Sequence, residues 1–221
     1  MTVLICITVS HITNQCDSQE QRNKMTVLTI AITSVDDIAG FVEGSNSFGK
    51  QAVLDMGCLH TQISQTIMGG EMVGMTGISF EWSDMDAAIA GSAAVNSNSQ
   101  LLQMMGDCGV KVIRRSLLEV TQERGERDGE FISAVYMSGK SSSEGIDIGW
   151  GHLKDSANGL MTTRLYAGGP AAWTGTVFTW TDSVTSLASA AANAWDDPAM
   201  QRIQAETGSQ PLGRLINRVL A

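Results

Sequence analysis

The feature that most constrains this chain is an internal match at a fixed spacing. Thr76-Gly-Ile-Ser-Phe-Glu-Trp-Ser-Asp84 is answered by Thr174-Gly-Thr-Val-Phe-Thr-Trp-Thr-Asp182. Thr, Gly, Phe, Trp and Asp therefore recur 98 positions apart. The offset continues without a gap: Ile89 answers Leu187, Ala90 answers Ala188, Ala93 answers Ala191, Ala94 answers Ala192 and Gln103 answers Gln201. Upstream, Gly70 answers Gly168. A period of this length is a whole folding unit used twice. The 221 residues then divide into two small units instead of one large core.

Each unit shows the same succession of patterns. Residues 26–34 and 130–138 are β-rich runs of strand length. Residues 60–67 and 161–167 alternate polar and apolar, as half-buried strands do. Strands over 72–82 and 171–181 carry the repeated motif, and the Gly-Gly pairs at 69–70 and 168–169 mark hairpin turns before them. Ala-rich helices are predicted over 84–105 and 182–205, with Asp84 and Asp182 as N-caps. Residues 110–120 and 211–220 read as last strands. A first helix lies between strands one and two of each unit, where Phe48-Gly49 is answered by Trp150-Gly151. The order strand, helix, strand, strand, helix, strand is the split βαβ, ferredoxin-like arrangement. It leaves one sheet face bare, and two tandem copies can cover each other. The expected fold class is α+β, as two tandem βαββαβ repeats at 25–121 and 130–221 joined by a linker at 122–129. Residues 1–24 read as an N-terminal extension, poorly ordered and outside the fold. Met25-Thr-Val-Leu repeats the opening Met1-Thr-Val-Leu, which suggests an over-called start; an extra edge strand over 2–9 is the alternative.

The net charge of −9 argues against a phosphate-backbone partner, which needs a basic face, and more weakly against anionic membrane surfaces. No apolar run reaches transmembrane length, and the start lacks a basic n-region and a small-residue cleavage site. Cys6, Cys16, Cys58 and Cys108 form no CxxC pair and no zinc spacing. They read as reduced thiols of a cytoplasmic protein.

Through its repeat, its topology and the matched strand–helix junctions at 76–84 and 174–182, the chain resembles the dimeric α+β barrel superfamily in tandem form. The resemblance covers residues 25–221. It implies a pseudo-symmetric barrel within one chain and a tendency to form homo-oligomers through sheets or edges. The superfamily includes cofactor-independent oxygenases, isomerases, polyketide cyclases, haem proteins and stress-response proteins, so fold alone does not give function. Ligands in many members sit between a sheet and its helices.

That habit directs attention to particular residues. His60, Gln62, Ser64 and Thr66 share one face of their strand, a polar row in which His60 can act as a base or hydrogen-bond donor. Its plain alternative is a solvated or interface-facing edge. The comparable row in the second unit carries Thr162, Arg164 and Tyr166, and Arg164 beside Tyr166 can orient a carboxylate or phenolate. Trp82 and Trp180, being repeat-related, read as shared core. Met75 and Trp173 match on the opposite strand face and are candidates to fill the sheet–helix space or line a pocket there. His152, in Gly149-Trp150-Gly151-His152, is the candidate haem ligand, although it aligns with the solvent-facing Lys50.

Three readings follow. The first is a cofactor-independent oxygenase, isomerase or cyclase acting on a small apolar or aromatic molecule, with His60, Arg164 and Tyr166 as catalytic residues, Gln62, Ser64, Trp173 and Met75 at the substrate, and no metal. The second is a non-catalytic binding or assembly protein. The third is a haem protein built on His152.

Overall fold

The computed structural model describes residues 26–221, and the N-terminal stretch over 1–24 lies outside the described residues. Eight antiparallel strands close into a barrel: β1 (Val27–Ser34), β2 (His60–Met68), β3 (Thr76–Trp82), β4 (Lys111–Gly125), β5 (Phe131–Met137), β6 (Gly159–Ala167), β7 (Gly175–Thr181) and β8 (Pro211–Val219). Around the ring their order is β1-β3-β2-β8-β5-β7-β6-β4. Each half thus contributes its last, first, third and second strands in turn. The seams are β2 on β8, where Thr66 faces Asn217, and β4 on β6, where Glu119 faces Arg164. Closure removes the open sheet edges that would otherwise recruit other chains.

Among the described residues seven α-helices lie outside the barrel: α1 (Ile38–Gly44), α2 (Lys50–Asp55), α3 (Met85–Val95), α4 (Ser99–Asp107), α5 (Ser143–Leu153), α6 (Val184–Asp196) and α7 (Pro198–Thr207). A π-helical turn, Ser45–Gly49, joins α1 to α2. The helices predicted over 84–105 and 182–205 are each broken once. Asn98 leaves the helix and its side chain accepts from Leu101 N, starting α4 afresh. At Asp197-Pro198 the proline cannot continue α6, and Asp197 caps α7 through Ala199 N and Met200 N. β4 runs to Gly125, into the stretch read as the linker 122–129, because its far end pairs with β6 from Gln122 to Gly125.

Burial divides the molecule into a barrel interior and two sheet–helix layers. Leu28, Leu118, Val120, Ile132, Met161 and Trp180 meet inside the barrel. Val27, Val53, Trp82, Ala88 and Leu101 fill the layer of the first half. Leu153, Leu160, Leu187, Ala190 and Ala191 form that of the second.

The repeated motif does not occupy equivalent places. In β3, Trp82 stands opposite Val27 and faces the helices. In β7, Trp180 stands opposite Ile132 and faces the barrel interior; it is Thr181 that pairs with Phe131. Because side chains alternate across a strand, a slip of one residue turns the whole motif to the other face. The helix starts carry the same slip. Asp84 caps α3 by accepting from Ala87 N, but Ser183, not Asp182, caps α6 by accepting from Ser186 N. Asp182 instead accepts from Glu130 N at 3.0 Å and from Asn158 Nδ2 at 2.9 Å. The reading of Trp82 and Trp180 as one shared core position, and of Asp182 as an N-cap, is corrected accordingly.

Candidate functional site

The residues singled out in the sequence do not converge. The row His60, Gln62, Ser64 and Thr66 lines the barrel interior, not the sheet–helix layer. Gln62 Oε1 accepts from Trp180 Nε1 at 3.0 Å, and Thr66 Oγ1 donates to Asn217 Oδ1 at 2.8 Å. Ser64 sits beside Gly77 in the same interior. Burial pushes the His60 imidazole below its usual pKa, and the Arg127 charge adds to that. Arg127 bridges Glu81 at 2.7 Å and Glu123 at 2.8 Å. Trp173 closes over the far end of the interior, edge-on to Tyr136 with ring centres 5.1 Å apart. Met75, just before β3, lines none of the three cavities described below.

Arg164 and Tyr166 project from the opposite, outer face of β6. Arg164 Nε donates to Glu119 Oε2 at 2.8 Å, and Tyr166 is 66% exposed. The barrel wall therefore stands between His60 and these two. His152 lies on α5 with Nε2 2.9 Å from Asp197 Oδ2, a contact that holds the Asp197 carboxyl below the usual range. It lines none of the three cavities.

The largest of the three cavities is elsewhere, between the second half's sheet and its helices. This cavity measures about 560 Å3. The corresponding layer of the first half encloses only about 80 Å3. The strand slip explains the contrast. In the first half, Phe80 and Trp82 occupy the layer with Phe41, Val53, Leu101 and Met104. In the second half, Phe178 and Trp180 turn into the barrel, so the β7 side chains left in the layer are Val177 and Thr179. On the helix side, Gly145 and Gly149 of α5 and Ala191 and Ala194 of α6 add little volume. Trp195, Leu187, Met200 and Ile203 complete an apolar wall.

The cavity floor carries two hydroxyls. Ser133 and Thr179 face each other directly across β5 and β7 and are 2% and 4% exposed. Neither side chain bonds to another group among the described residues. Thr29, which holds the place of Ser133 in the first half, receives the Trp82 indole N–H at 3.0 Å. On the helix side, Gln204 Nε2 is buried without a partner among the described residues. At the mouth, near Ser138–Ser142, stand Lys140, Arg164 and Arg214. Of these only Arg164 has a carboxylate partner among the described residues. No His, Cys, Tyr, Asp or Glu lines the space. The chain thus holds a deep apolar chamber with a few buried donors and a cationic rim, the form small-molecule sites take.

No protein-family model and no curated protein matches the sequence. Solved structures do match the fold. The chlorite dismutase of Candidatus Nitrospira defluvii superposes with a TM-score of 0.55 at 5% identity, covering 92% of this chain and 94% of that one. A candidate monooxygenase from Fusobacterium nucleatum gives 0.52 at 10% identity, covering 90% and 94%. A heme-binding protein from Thermus thermophilus gives 0.51 at 10% identity, covering 89% and 91%. At these identities the likeness shows the fold alone, an antiparallel eight-stranded barrel with helices outside it. Among the described residues no helix is long and apolar enough to cross a membrane.

Proposed function

We propose that the chain is a binding barrel for a small apolar or aromatic molecule bearing an anionic group, held in the sheet–helix layer of its second half. The observation that carries this reading is the chamber of about 560 Å3, with the Ser133 and Thr179 side chains on its floor and Gln204 Nε2 buried without a partner among the described residues. A buried N–H donor without a partner, as at Gln204 Nε2, costs roughly 1–3 kcal/mol, which a ligand carbonyl or hydroxyl offsets by accepting from it. Lys140, Arg164 and Arg214 suit a carboxylate, phenolate or sulfonate left at the mouth. Apart from Lys140 at the mouth, no acid–base side chain lines the chamber, and binding is the function its own residues support best. We also read the two halves as tandem ferredoxin-like repeats, residues 25–121 and 130–221, of which the second keeps the open site.

Anilinonaphthalene sulfonate, an aromatic anion, tests the proposal. It should bind one molecule per chain with enhanced, blue-shifted emission. Thr179→Trp, which refills the layer at the place Phe80 holds in the first half, should weaken it about tenfold or more, equal to ~1.4 kcal/mol. Lys140→Ala with Arg214→Ala should weaken it by a smaller factor that shrinks further in high salt. Affinity unchanged by Thr179→Trp would sink the proposal.

A catalytic version rests on the same hydroxyl pair. Donated hydrogen bonds from Ser133 and Thr179 would stabilise the phenolate or enolate form of an aromatic ligand, the form on which a cofactor-independent oxygenase, isomerase or cyclase acts. Turnover would then fall in Ser133→Ala and Thr179→Val while binding persisted.

Haem, suggested by the heme-binding neighbour, does not fit these residues. The chamber presents no imidazole, thiolate or phenolate, and His152 Nε2 is engaged by Asp197. Added hemin should give no sharp Soret band that depends on His152.

A further inference from the structure

The barrel interior holds a separate small cavity of about 80 Å3, with the strand wall between it and the layer chamber. The end away from Arg127 is closed by Arg114, Tyr136 and Trp173. Arg114 points inward from β4, one pleat from Ser116 and two from Leu118. One of its terminal nitrogens donates to the Tyr136 hydroxyl at 3.0 Å. Its guanidinium carbon stands 5.8 Å from the ring centres of both Tyr136 and Trp173. This double cation–π contact fixes the plane of the guanidinium.

What the site lacks, among the described residues, is an anionic partner for Arg114. No carboxylate pairs with Arg114 among the described residues, whereas Arg127 at the opposite end of the interior is matched by Glu81 and Glu123. Arg114 Nε is buried and has no hydrogen-bond partner among the described residues, and the same holds for Ser116 Oγ. Ser116 is 6% exposed. Two buried donors, one of them charged, therefore border a space whose other walls include Gln62, Ser64, Ser79 and Asn217. An uncompensated charge with unmade hydrogen bonds is costly inside a protein, and an oxyanion removes both costs at once.

Shape and size narrow the class. The guanidinium is a planar fork suited to two oxygens of a planar group. A space of about 80 Å3 equals two to three water volumes at roughly 30 Å3 each. That admits three or four heavy atoms. We propose that Arg114 and Ser116 form a binding site for a small planar oxyanion of the carboxylate, bicarbonate or nitrate class, with Tyr136 and Trp173 as its aromatic cover. The site is independent of the ligand proposed for the layer chamber.

The experiment uses the full chain, titrated with sodium formate and, separately, sodium nitrate at constant ionic strength against sodium chloride. Tryptophan emission reports on Trp173, and the thermal midpoint gives a second readout. Formate and nitrate should each give a saturable change with a raised midpoint, while the tetrahedral sulfate should bind more weakly. Arg114→Gln should lose about tenfold or more in affinity and Ser116→Ala several-fold, on the scale of one charged and one neutral hydrogen bond. Arg114→Lys keeps the charge without the fork and should fall between wild type and Arg114→Gln. Should Arg114→Gln not fold by circular dichroism, Ser116→Ala and Tyr136→Phe decide the matter. A response no different from chloride, or one that these variants leave unchanged, would overturn the proposal.

Discussion

At the scale of single residues, the two repeated tryptophans show how little a matched sequence says about a side chain's surroundings. Trp82 is 1% exposed in the first sheet–helix layer, its indole ring against Gly91 of α3, where even a methyl group would stand 2.1 Å from the ring. Trp180 is 4% exposed on the other side of the wall, donating to Gln62. Trp82→Ala should cost about 3–5 kcal/mol in urea unfolding and open a cavity where the first half now has little space. Trp180→Ala should leave anilinonaphthalene sulfonate binding in the layer chamber intact, because the residue faces away from it.

Charge at the base of the barrel sets a second residue-scale prediction. Burial alone would raise the Glu81 pKa, but hydrogen bonds from Arg127 and Thr26, with the Arg127 charge, hold it below the usual carboxylate range. A carboxyl with a depressed folded pKa stabilises the fold above its unfolded pKa. That contribution disappears as pH falls through the folded value. Stability measured across the acid range should therefore decline less steeply in Glu81→Gln than in wild type. Equal slopes would show that Glu81 titrates alike in both states.

At the scale of elements, strands were more legible than helix ends. The alternation of His60 to Ile67 placed β2 within a residue of its bounds, and it separated His60, Gln62, Ser64 and Thr66 from Ile63 correctly. The same pattern gave no direction: a polar row reads alike whether it faces solvent, a layer or a barrel interior. The helix breaks at Asn98 and Asp197 were written in cap residues that continuous Ala-rich composition obscured. Asp197 both caps α7 and holds His152 of α5, so Asp197→Ala should lower the thermal midpoint, while Asp197→Asn should recover most of the cap. Thermal unfolding of the pair distinguishes the two.

At the scale of the whole molecule, the halves share two continuous seams, β2 with β8 and β4 with β6. A half alone would expose two strand edges and the apolar interior of Leu28, Leu118, Ile132, Met161 and Trp180. The chain should therefore unfold in one cooperative step, with far-ultraviolet and near-ultraviolet signals coinciding. Two separated transitions would mean that the halves are independently stable.

The sequence by itself determined the strand and helix succession of each half, the polar row of β2 and the α+β class, because these rest on local periodicity and cap chemistry. It could not determine the register. With a side-chain period of two, one residue of slip costs nothing in local pattern yet moves Phe178 and Trp180 through the wall. Only the tertiary pairing of β5 with β7 decided that Ser133 and Thr179, which carry no motif, share the floor of the open chamber. It also decided that His60 and Arg164 lie on opposite sides of the barrel. Closure of the ring left Arg114 inside with two aromatic neighbours and, among the described residues, no acidic partner, since that environment is assembled from strands and turns distant in sequence.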